Sequence, residues 1–174
     1  MRSALVVVGL LFAVAPALAD GLKPFTTDGC SVWIDGPPDR PNLWRHCCVA
    51  HDLAYWIGGT RTERKQADQV LKQCIKDAEQ PLIADPTYHG VRLGGGPYWP
   101  STYRWGYGWD FFSGSRLGGR WVRGYQRPSA AEQAQIDLLK PAALLLIEED
   151  ARRYPADAAP HSMTRSSNAN MLRF

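Results

Sequence analysis

The sequence is poor in the features that mark membrane-spanning and nucleic-acid-binding proteins. Its formal net charge is only +3 over 174 residues, which is too small for a general nucleic-acid binder. Beyond one apolar run near the N-terminus, no stretch approaches the length that crosses a bilayer. There is no internal repeat of useful length. No serine lies in a nucleophile-elbow pattern, so a covalent serine mechanism has no support.

The N-terminus has the pattern of a secretory signal peptide. Arg2 precedes an apolar run at 4–14, and Ala17 and Ala19, in a small-x-small pattern, supply a cleavage signal. We therefore expect residues 1–19 to be removed on export, to the periplasm or out of the cell. The first cysteine, Cys30, lies well beyond the cleavage signal, so we expect no lipid anchor. A buried N-terminal helix is the alternative.

We expect one mainly α-helical domain at 20–154, followed by a polar, mobile tail at 155–174. The first helix is predicted over 42–57, where two glycines follow it. A capping box at 60–63 opens the second helix, which is predicted to end near residue 79. Because the connection is short and glycine-rich, the two helices should form an antiparallel pair.

An aromatic and arginine-rich segment at about 86–127 follows this pair. We expect it to be irregular, with a short strand where aromatic residues alternate from Tyr103 to Trp109. A second capping box, at 129–132, opens a C-terminal helix. Pro141 is expected to kink or divide that helix, because proline removes a backbone donor.

The four cysteines of an exported chain predict two disulfides. A bridge between the adjacent Cys47 and Cys48 is disfavoured by geometry, which leaves two pairings open. Each of them joins the first helix both to the arm before it, through Cys30, and to the second helix, through Cys74. A zinc site is the alternative, formed by the thiolates of Cys47, Cys48 and Cys74 with His51.

The most informative stretch is CCVAHDLAY at 47–55, on the first predicted helix. Residues four apart share a helix face, so His51 and Tyr55 form one stripe and Asp52 lies in the stripe beside it. An imidazole can take a proton from water, and a neighbouring carboxylate can hold a hard cation. The pattern therefore indicates a metal-assisted hydrolase. A packed structural histidine is the alternative for His51.

The possible bridges would place further groups beside this stripe. With a bridge between Cys47 and the second helix, Asp68 lies roughly level with His51 and Tyr55. Its carboxylate could then hold the imidazole in one tautomer and accept a hydrogen bond from the phenol. With a bridge from the arm to the first helix, loop carbonyls lie near Asp52, where they could help to bind calcium.

These residues resemble those of secretory phospholipase A2. The matching motifs, within about 28–75, are Gly29-Cys30, Cys47-Cys48-x-x-His51-Asp52-x-x-Tyr55 and Asp68-x5-Cys74. The resemblance implies a mainly α fold with a disulfide-linked antiparallel helix pair of phospholipase A2 type. The irregular or short-β aromatic insertion and the C-terminal helix would follow it. The bridges implied by the resemblance are Cys30–Cys48 and Cys47–Cys74.

The resemblance also implies calcium-dependent hydrolysis of the sn-2 acyl ester of phospholipids. His51 would be the general base, oriented by Asp68 and Tyr55, and Asp52 would bind Ca²⁺. By position, the further calcium ligands would be the carbonyls of Gly29, Ser31 and Trp33. Asp35 or Asp28 could supply a carboxylate instead.

The expected partner is a phospholipid membrane surface, contacted through the Trp/Tyr/Arg-rich segment at 98–125. Tryptophan and tyrosine prefer headgroup depth, and arginine favours anionic lipid. Ordinary core packing and a saccharide-stacking surface are the alternatives for this segment. We expect a monomer with no nucleic-acid partner. The alternative function is a catalytically silent phospholipase A2-like module that binds lipid or an envelope partner.

Overall fold

The computed structural model describes residues 21–116 and 119–156, and this part of the chain is mainly helical. It contains four α-helices and one two-stranded antiparallel ribbon: α1 Arg45–Ile57, α2 Arg61–Asp77, α3 Pro81–Gly94, β1 Gly114–Arg116, β2 Gly119–Trp121 and α4 Ala130–Arg153. The predicted signal peptide at 1–19 and most of the predicted tail at 155–174 lie outside the described residues. None of the described helices is both long and apolar enough to cross a membrane.

α1 and α2 form the antiparallel pair that the sequence predicts. The chain reverses at Gly58 and Gly59, whose φ angles of +76° and +140° favour glycine. Thr60 then caps α2, because its hydroxyl accepts from the backbone of Glu63 while the Glu63 carboxylate accepts from the backbone of Thr60. The predicted capping box is therefore confirmed.

Two disulfides fasten α1 to its neighbours. Cys30–Cys48 joins it to the N-terminal arm and Cys47–Cys74 joins it to α2, with Cα separations of 5.0 and 5.7 Å. This is the pairing that the family resemblance implies. Because all four cysteines are bridged, no thiolate is left to bind a metal. The zinc alternative is therefore wrong.

α3 is a helix that the sequence patterns did not predict. Pro81, just after the predicted end of α2, occupies the first turn of α3, where its missing donor costs nothing. Pro86 lies inside the helix and removes one hydrogen bond. The helix persists because Ala84 and Thr87 are buried and its apolar residues pack against the core that α1 and α2 share.

α4 begins at the predicted second capping box, formed by Ser129 and Glu132. It continues as a single helix through Pro141, so the predicted division did not occur. Its contact with the rest of the fold lies mainly against α1, through a cluster that includes Ile136 and Ala143. This packing holds the two halves of α4 on one core.

The segment at 98–125 forms turns where an aromatic strand was predicted, and the short ribbon lies later in the chain. Trp105 and Trp109 are buried, and their indoles donate to the carbonyls of Gly59 and Ile57, both at 2.8 Å. Buried indoles need such partners, and turns bring these two against the end of α1. The predicted strand is therefore wrong.

Candidate active site

His51, Asp68 and Tyr55 form one hydrogen-bonded group across the helix pair. His51 and Tyr55 lie one turn apart on α1, and Asp68 lies opposite them on α2. His51 Nε2 is 2.9 Å from Asp68 Oδ1, and the Tyr55 hydroxyl donates to the same oxygen at 2.8 Å. Because an ionised carboxylate only accepts, His51 Nε2 carries the ring proton. Nδ1 then keeps the lone pair that a general base needs.

Two arginines to which the sequence patterns gave no role complete this group. Arg92 of α3 donates through Nη1 to Asp68 Oδ2 at 2.5 Å, and Arg64 of α2 donates through Nε to the Tyr55 hydroxyl at 3.0 Å. Arg64 also fastens α3, since its Nη2 donates to the carbonyl of Val91 at 2.7 Å. The unpredicted helix therefore supplies a counter-charge for the buried carboxylate.

The network keeps Asp68 ionised although its side chain is 0% exposed. Burial raises the pKa of this carboxyl, but hydrogen bonds from His51, Arg92 and Tyr55 outweigh burial and hold the pKa below its usual range. Burial and the charge of Asp68 raise the pKa of Tyr55 well above its usual range. The phenol therefore remains a neutral donor beside the charged acceptor.

His51, Asp52 and Tyr55 line a cavity of about 340 Å³, here called the main cavity. The rest of its wall comes from the loop at 29–33, from Tyr103 and from apolar residues of α2 and α3. α3 can end against the phenol because Gly95 has no side chain: a Cβ there would lie 2.6 Å from the Tyr55 ring. Residues of α1, α2 and α3, together with the loop at 29–33 and Tyr103, thus enclose the cavity beside His51.

Asp52 lies where the main cavity adjoins a smaller polar cavity of about 230 Å³. The Thr27 hydroxyl donates to Asp52 Oδ2 and the Ser31 hydroxyl donates to Asp28 Oδ1, each at 2.7 Å. Burial raises the pKa of Asp52 well above its usual range; the Thr27 hydrogen bond opposes this effect and Asp28 adds to it. Neither carboxylate forms an ion pair with a described cation. The charge of Arg45, which is ion-paired with Asp35, opposes this rise in pKa only in part, so negative charge on Asp52 is only partly compensated.

Asp35, the other predicted carboxylate ligand, lines neither cavity. Its Oδ1 accepts from the backbone of Cys30 at 2.7 Å, and its Oδ2 pairs with Arg45 Nη1 at 2.6 Å. Arg45 also donates to the carbonyl of Asp28 at 2.9 Å and forms a two-point ion pair with Asp150 of α4. In the structure Asp35 braces the loop against α1, whereas Asp28 lies beside Asp52.

The structure places Gly29, Ser31 and Trp33, like Asp52, in the wall of the main cavity, and Ser31 also lines the polar cavity with Asp52. Gly29 has a φ of +86°, which favours glycine. In the described part of the chain, no hydrogen bond ends on the carbonyl oxygens of these three residues. Carbonyl, hydroxyl and carboxylate oxygens beside partly compensated negative charge are the donors that calcium prefers. This donor set fits the ion.

The aromatic segment at 98–125 does not form one continuous surface. Arg104 and Arg123 are buried together with Trp105 and Trp109. The exposed aromatic residues of the segment are Tyr98, Trp99, Tyr103, Phe112 and Trp121. Core packing, one of the alternatives considered for the segment, accounts for its two central tryptophans.

Comparisons with protein-family models, curated proteins and solved structures found no match to this chain. The resemblance to secretory phospholipase A2 therefore rests on the residue motifs alone. The disulfides it implies are present, whereas the activity it implies remains a prediction.

Three residues of this site were missed by the sequence patterns: Thr27, Arg64 and Arg92. Arg64 lies one turn before Asp68 on α2, and that spacing could have indicated a contact with the same site. Arg92 gave no such signal because it belongs to a helix that the sequence patterns missed. The sequence also does not place Thr27 beside Asp52. Thr27 belongs to the irregular N-terminal arm, whose path relative to α1 cannot be read from sequence spacing.

Proposed function

We propose that this protein is an exported, calcium-dependent phospholipase that hydrolyses the sn-2 acyl ester of phospholipids. The observation that carries the proposal is the His51–Asp68 pair, which lies beside an apolar-walled cavity that Asp52 also lines. An esterase that activates water needs a general base, a carboxylate that orients the base, and oxygen ligands for a cation. The residues that could supply all three lie at one cavity.

In the proposed mechanism, His51 acts as the general base through Nδ1. It takes a proton from a water molecule as that water attacks the ester carbonyl, and it later returns the proton to the leaving alkoxide. Asp68 holds the ring through Nε2 and stabilises the imidazolium that forms. Tyr55 and Arg92 hold Asp68 in turn, so the orientation of the base depends on all three helices.

The residues that would hold calcium are Asp52, Asp28 and the loop carbonyls of Gly29, Ser31 and Trp33. Calcium bound there supplies positive charge that stabilises the developing oxyanion and neutralises the substrate phosphate. We assign Asp35 to bracing the loop, because both of its oxygens already bind Cys30 and Arg45.

The apolar wall of the main cavity suits an acyl chain, and its rim suits a membrane surface. Val32 is 87% exposed, and Trp33 and Ile34 are each about half exposed at the loop tip beside the cavity. Tyr103, also exposed, lines the same cavity. Exposed apolar and aromatic groups around a cavity mouth support contact with lipid. We therefore extend the proposed membrane contact from the 98–125 segment to this loop.

Fatty-acid release from phosphatidylcholine vesicles, with calcium or with chelator, tests the proposal. We expect release by the wild type with calcium and a rate lower by about 1000-fold in His51→Gln, because general-base catalysis contributes about that factor. His89→Gln is the matched control, since His89 is exposed on α3. Equal release by the wild type and His51→Gln would overturn the proposal. A calcium-dependent rise in Tm without ester cleavage would favour the silent binding module.

A further inference from the structure

A third cavity adjoins the polar cavity. This outer groove, of about 1010 Å³, lies between the N-terminal arm at 23–26 and the turns at 100–112. Neighbouring cavities share wall residues and so adjoin in a row, here called the path. Ser31, Asp52 and Tyr103 line the main and polar cavities, and Thr26, Thr102 and Tyr107 line the polar cavity and the outer groove. The proposed function does not use this groove.

The outer groove contains a buried positive charge that forms no ion pair with a carboxylate of the described residues. Arg104 lines the groove and is only 5% exposed. Its guanidinium donates to backbone carbonyls, including Gly106 at 2.6 Å, and no described carboxylate forms an ion pair with it. Burial and the neighbouring charge of Arg123 lower its pKa, and the charge of Asp110 in the same groove offsets only part of this effect. Since a buried charge is costly without compensation, an anion in the groove would be favoured there.

The remaining polar groups of the groove point to the same chemistry. Lys23 stands at its mouth, 60% exposed and paired with Asp110 at 2.6 Å, so two cations and one carboxylate line the groove. Ser101 Oγ is buried and has no hydrogen-bond partner among the described residues, although Ser101 lines the groove. An oxygen-rich anion would supply both the missing negative charge and an acceptor for this hydroxyl.

We propose that the outer groove binds a phosphate-class anion, supplied by a phospholipid headgroup that carries a second anionic group beyond the glycerophosphate. The choice of a lipid source rests on the proposed function, because the path leads from His51 past Asp52 into the groove. Cardiolipin, with two phosphodiesters, has this chemistry. Phosphatidylcholine does not, because its headgroup ends in a cation that the net positive groove repels. Free phosphate is the other source of the same chemistry.

Binding is measured first, without calcium and without turnover. The probes are inorganic phosphate and neutral detergent micelles that contain either cardiolipin or phosphatidylcholine, and the readout is the NMR signal of the Arg104 Nε–H. We expect cardiolipin micelles to shift this signal and phosphatidylcholine micelles to leave it unchanged. A shift with inorganic phosphate of equal affinity would keep the anion site but overturn the headgroup assignment. No shift with any probe would overturn the proposal.

Two exposed lysines provide a matched pair of variants. Lys23→Gln removes the charge at the groove mouth, whereas Lys65→Gln removes the same charge from the exposed face of α2. We expect Lys23→Gln to weaken cardiolipin binding about threefold, which is the scale of an exposed charge pair, and Lys65→Gln to leave it unchanged. Equal weakening of cardiolipin binding by both variants would assign the effect to overall surface charge and overturn the proposal that the groove binds the anion. Ser101→Ala, which removes the unpartnered hydroxyl, should weaken binding like Lys23→Gln.

Turnover then separates this proposal from the proposed function. In calcium-containing mixed micelles we expect kcat/KM for cardiolipin to exceed that for phosphatidylcholine about tenfold, a preference worth about 1.4 kcal/mol. Lys23→Gln should lower this ratio and Lys65→Gln should preserve it. Binding without cleavage of either lipid would overturn the phospholipase proposal and leave the anion site standing. Cleavage of both lipids at the same rate, with no effect of Lys23→Gln, would overturn the anion site and leave the phospholipase proposal standing.

Discussion

Asp68 and Asp52 are two carboxylates of one candidate site, yet their surroundings are opposite. Asp68, on α2, accepts hydrogen bonds from His51 and Tyr55 of α1 and from Arg92 of α3, with which it is ion-paired. Its pKa lies below the usual range. Asp52 accepts one hydrogen bond, from the hydroxyl of Thr27, and lies near Asp28. Its pKa lies well above the usual range. The charge of Asp68 is therefore balanced by its neighbours, and Asp68 with these neighbours is here called the complete region. The charge of Asp52 is only partly balanced, and Asp52 with its surroundings is here called the incomplete region.

The difference separates two kinds of functional residue. A carboxylate that orients a base must stay ionised and immobile, and a dense hydrogen-bond network achieves both. A carboxylate that binds a cation needs the opposite, because groups that neutralised it in advance would compete with the ion. The incomplete charge at Asp52 is therefore consistent with a cation site. Arg104 shows the same incompleteness with opposite sign.

The largest expected effect follows from breaking the complete region with Asp68→Asn. We expect the free energy of unfolding to fall by about 3 kcal/mol, because Arg92 would lose its buried counter-charge. Calcium-free denaturant unfolding with the disulfides intact measures this. Because the pKa of Asp68 is lowered on folding, its contribution is complete above about pH 4, the usual Asp value, and is lost as pH falls through its lower folded value.

The matched control for this prediction is Asp137→Asn, on the exposed face of α4. A surface change of this kind is expected to alter the free energy of unfolding by less than about 0.5 kcal/mol. If Asp68→Asn were as harmless as the control, the network around Asp68 would contribute no stability. The difference between the surroundings of Asp68 and Asp52 would then have no effect on the free energy of unfolding.

A smaller effect is expected when the network loses Arg92. Arg92→Gln should lower the free energy of unfolding by about 1.5 kcal/mol, the scale of one charged hydrogen bond. If Arg92 positions Asp68, kcat for phospholipid should fall more than KM changes, since substrate does not touch it. Arg92→Lys should recover part of both losses, because it keeps the charge but not the planar donor. Arg61→Gln, an exposed change in the first turn of α2, is the control.

An unchanged kcat in Arg92→Gln, together with reduced stability, would make Arg92 a purely structural residue. A changed KM with constant kcat would instead place Arg92 in substrate binding. Either result would contradict the positioning role.

The sequence predicts the centre of the site well because helix periodicity is local. The spacing of His51 and Tyr55 puts both on one stripe, and the two-turn register from the Cys47–Cys74 bridge brings Asp68 level with them. The capping boxes at Thr60 and Ser129 are local in the same sense. Such features depend on neighbours within one or two turns, which the chain pattern contains.

The parts that the sequence did not predict depend on tertiary packing. Pro81 and Pro86 are typical of helix ends, and only burial against α1 and α2 shows that α3 continues through them. Arg92 could not be assigned to Asp68 without that helix. Likewise, the alternating aromatic residues from Tyr103 to Trp109 resemble a strand, whereas hydrogen bonds to the end of α1 hold them in turns.

The smallest expected effect tests the incomplete region and has the opposite sign. Asp52→Asn should raise the calcium-free free energy of unfolding by about 1 kcal/mol, because an uncharged isostere avoids the burial of an unpaired charge and still accepts from Thr27. The same variant should lose the calcium-dependent rise in Tm that we expect of the wild type. Asp39→Asn, which removes an exposed carboxylate, should change neither quantity. If Asp52→Asn instead destabilised the calcium-free protein as Asp68→Asn is expected to, the negative charge at Asp52 would already be balanced within the chain, and the cation site would lose its physical basis.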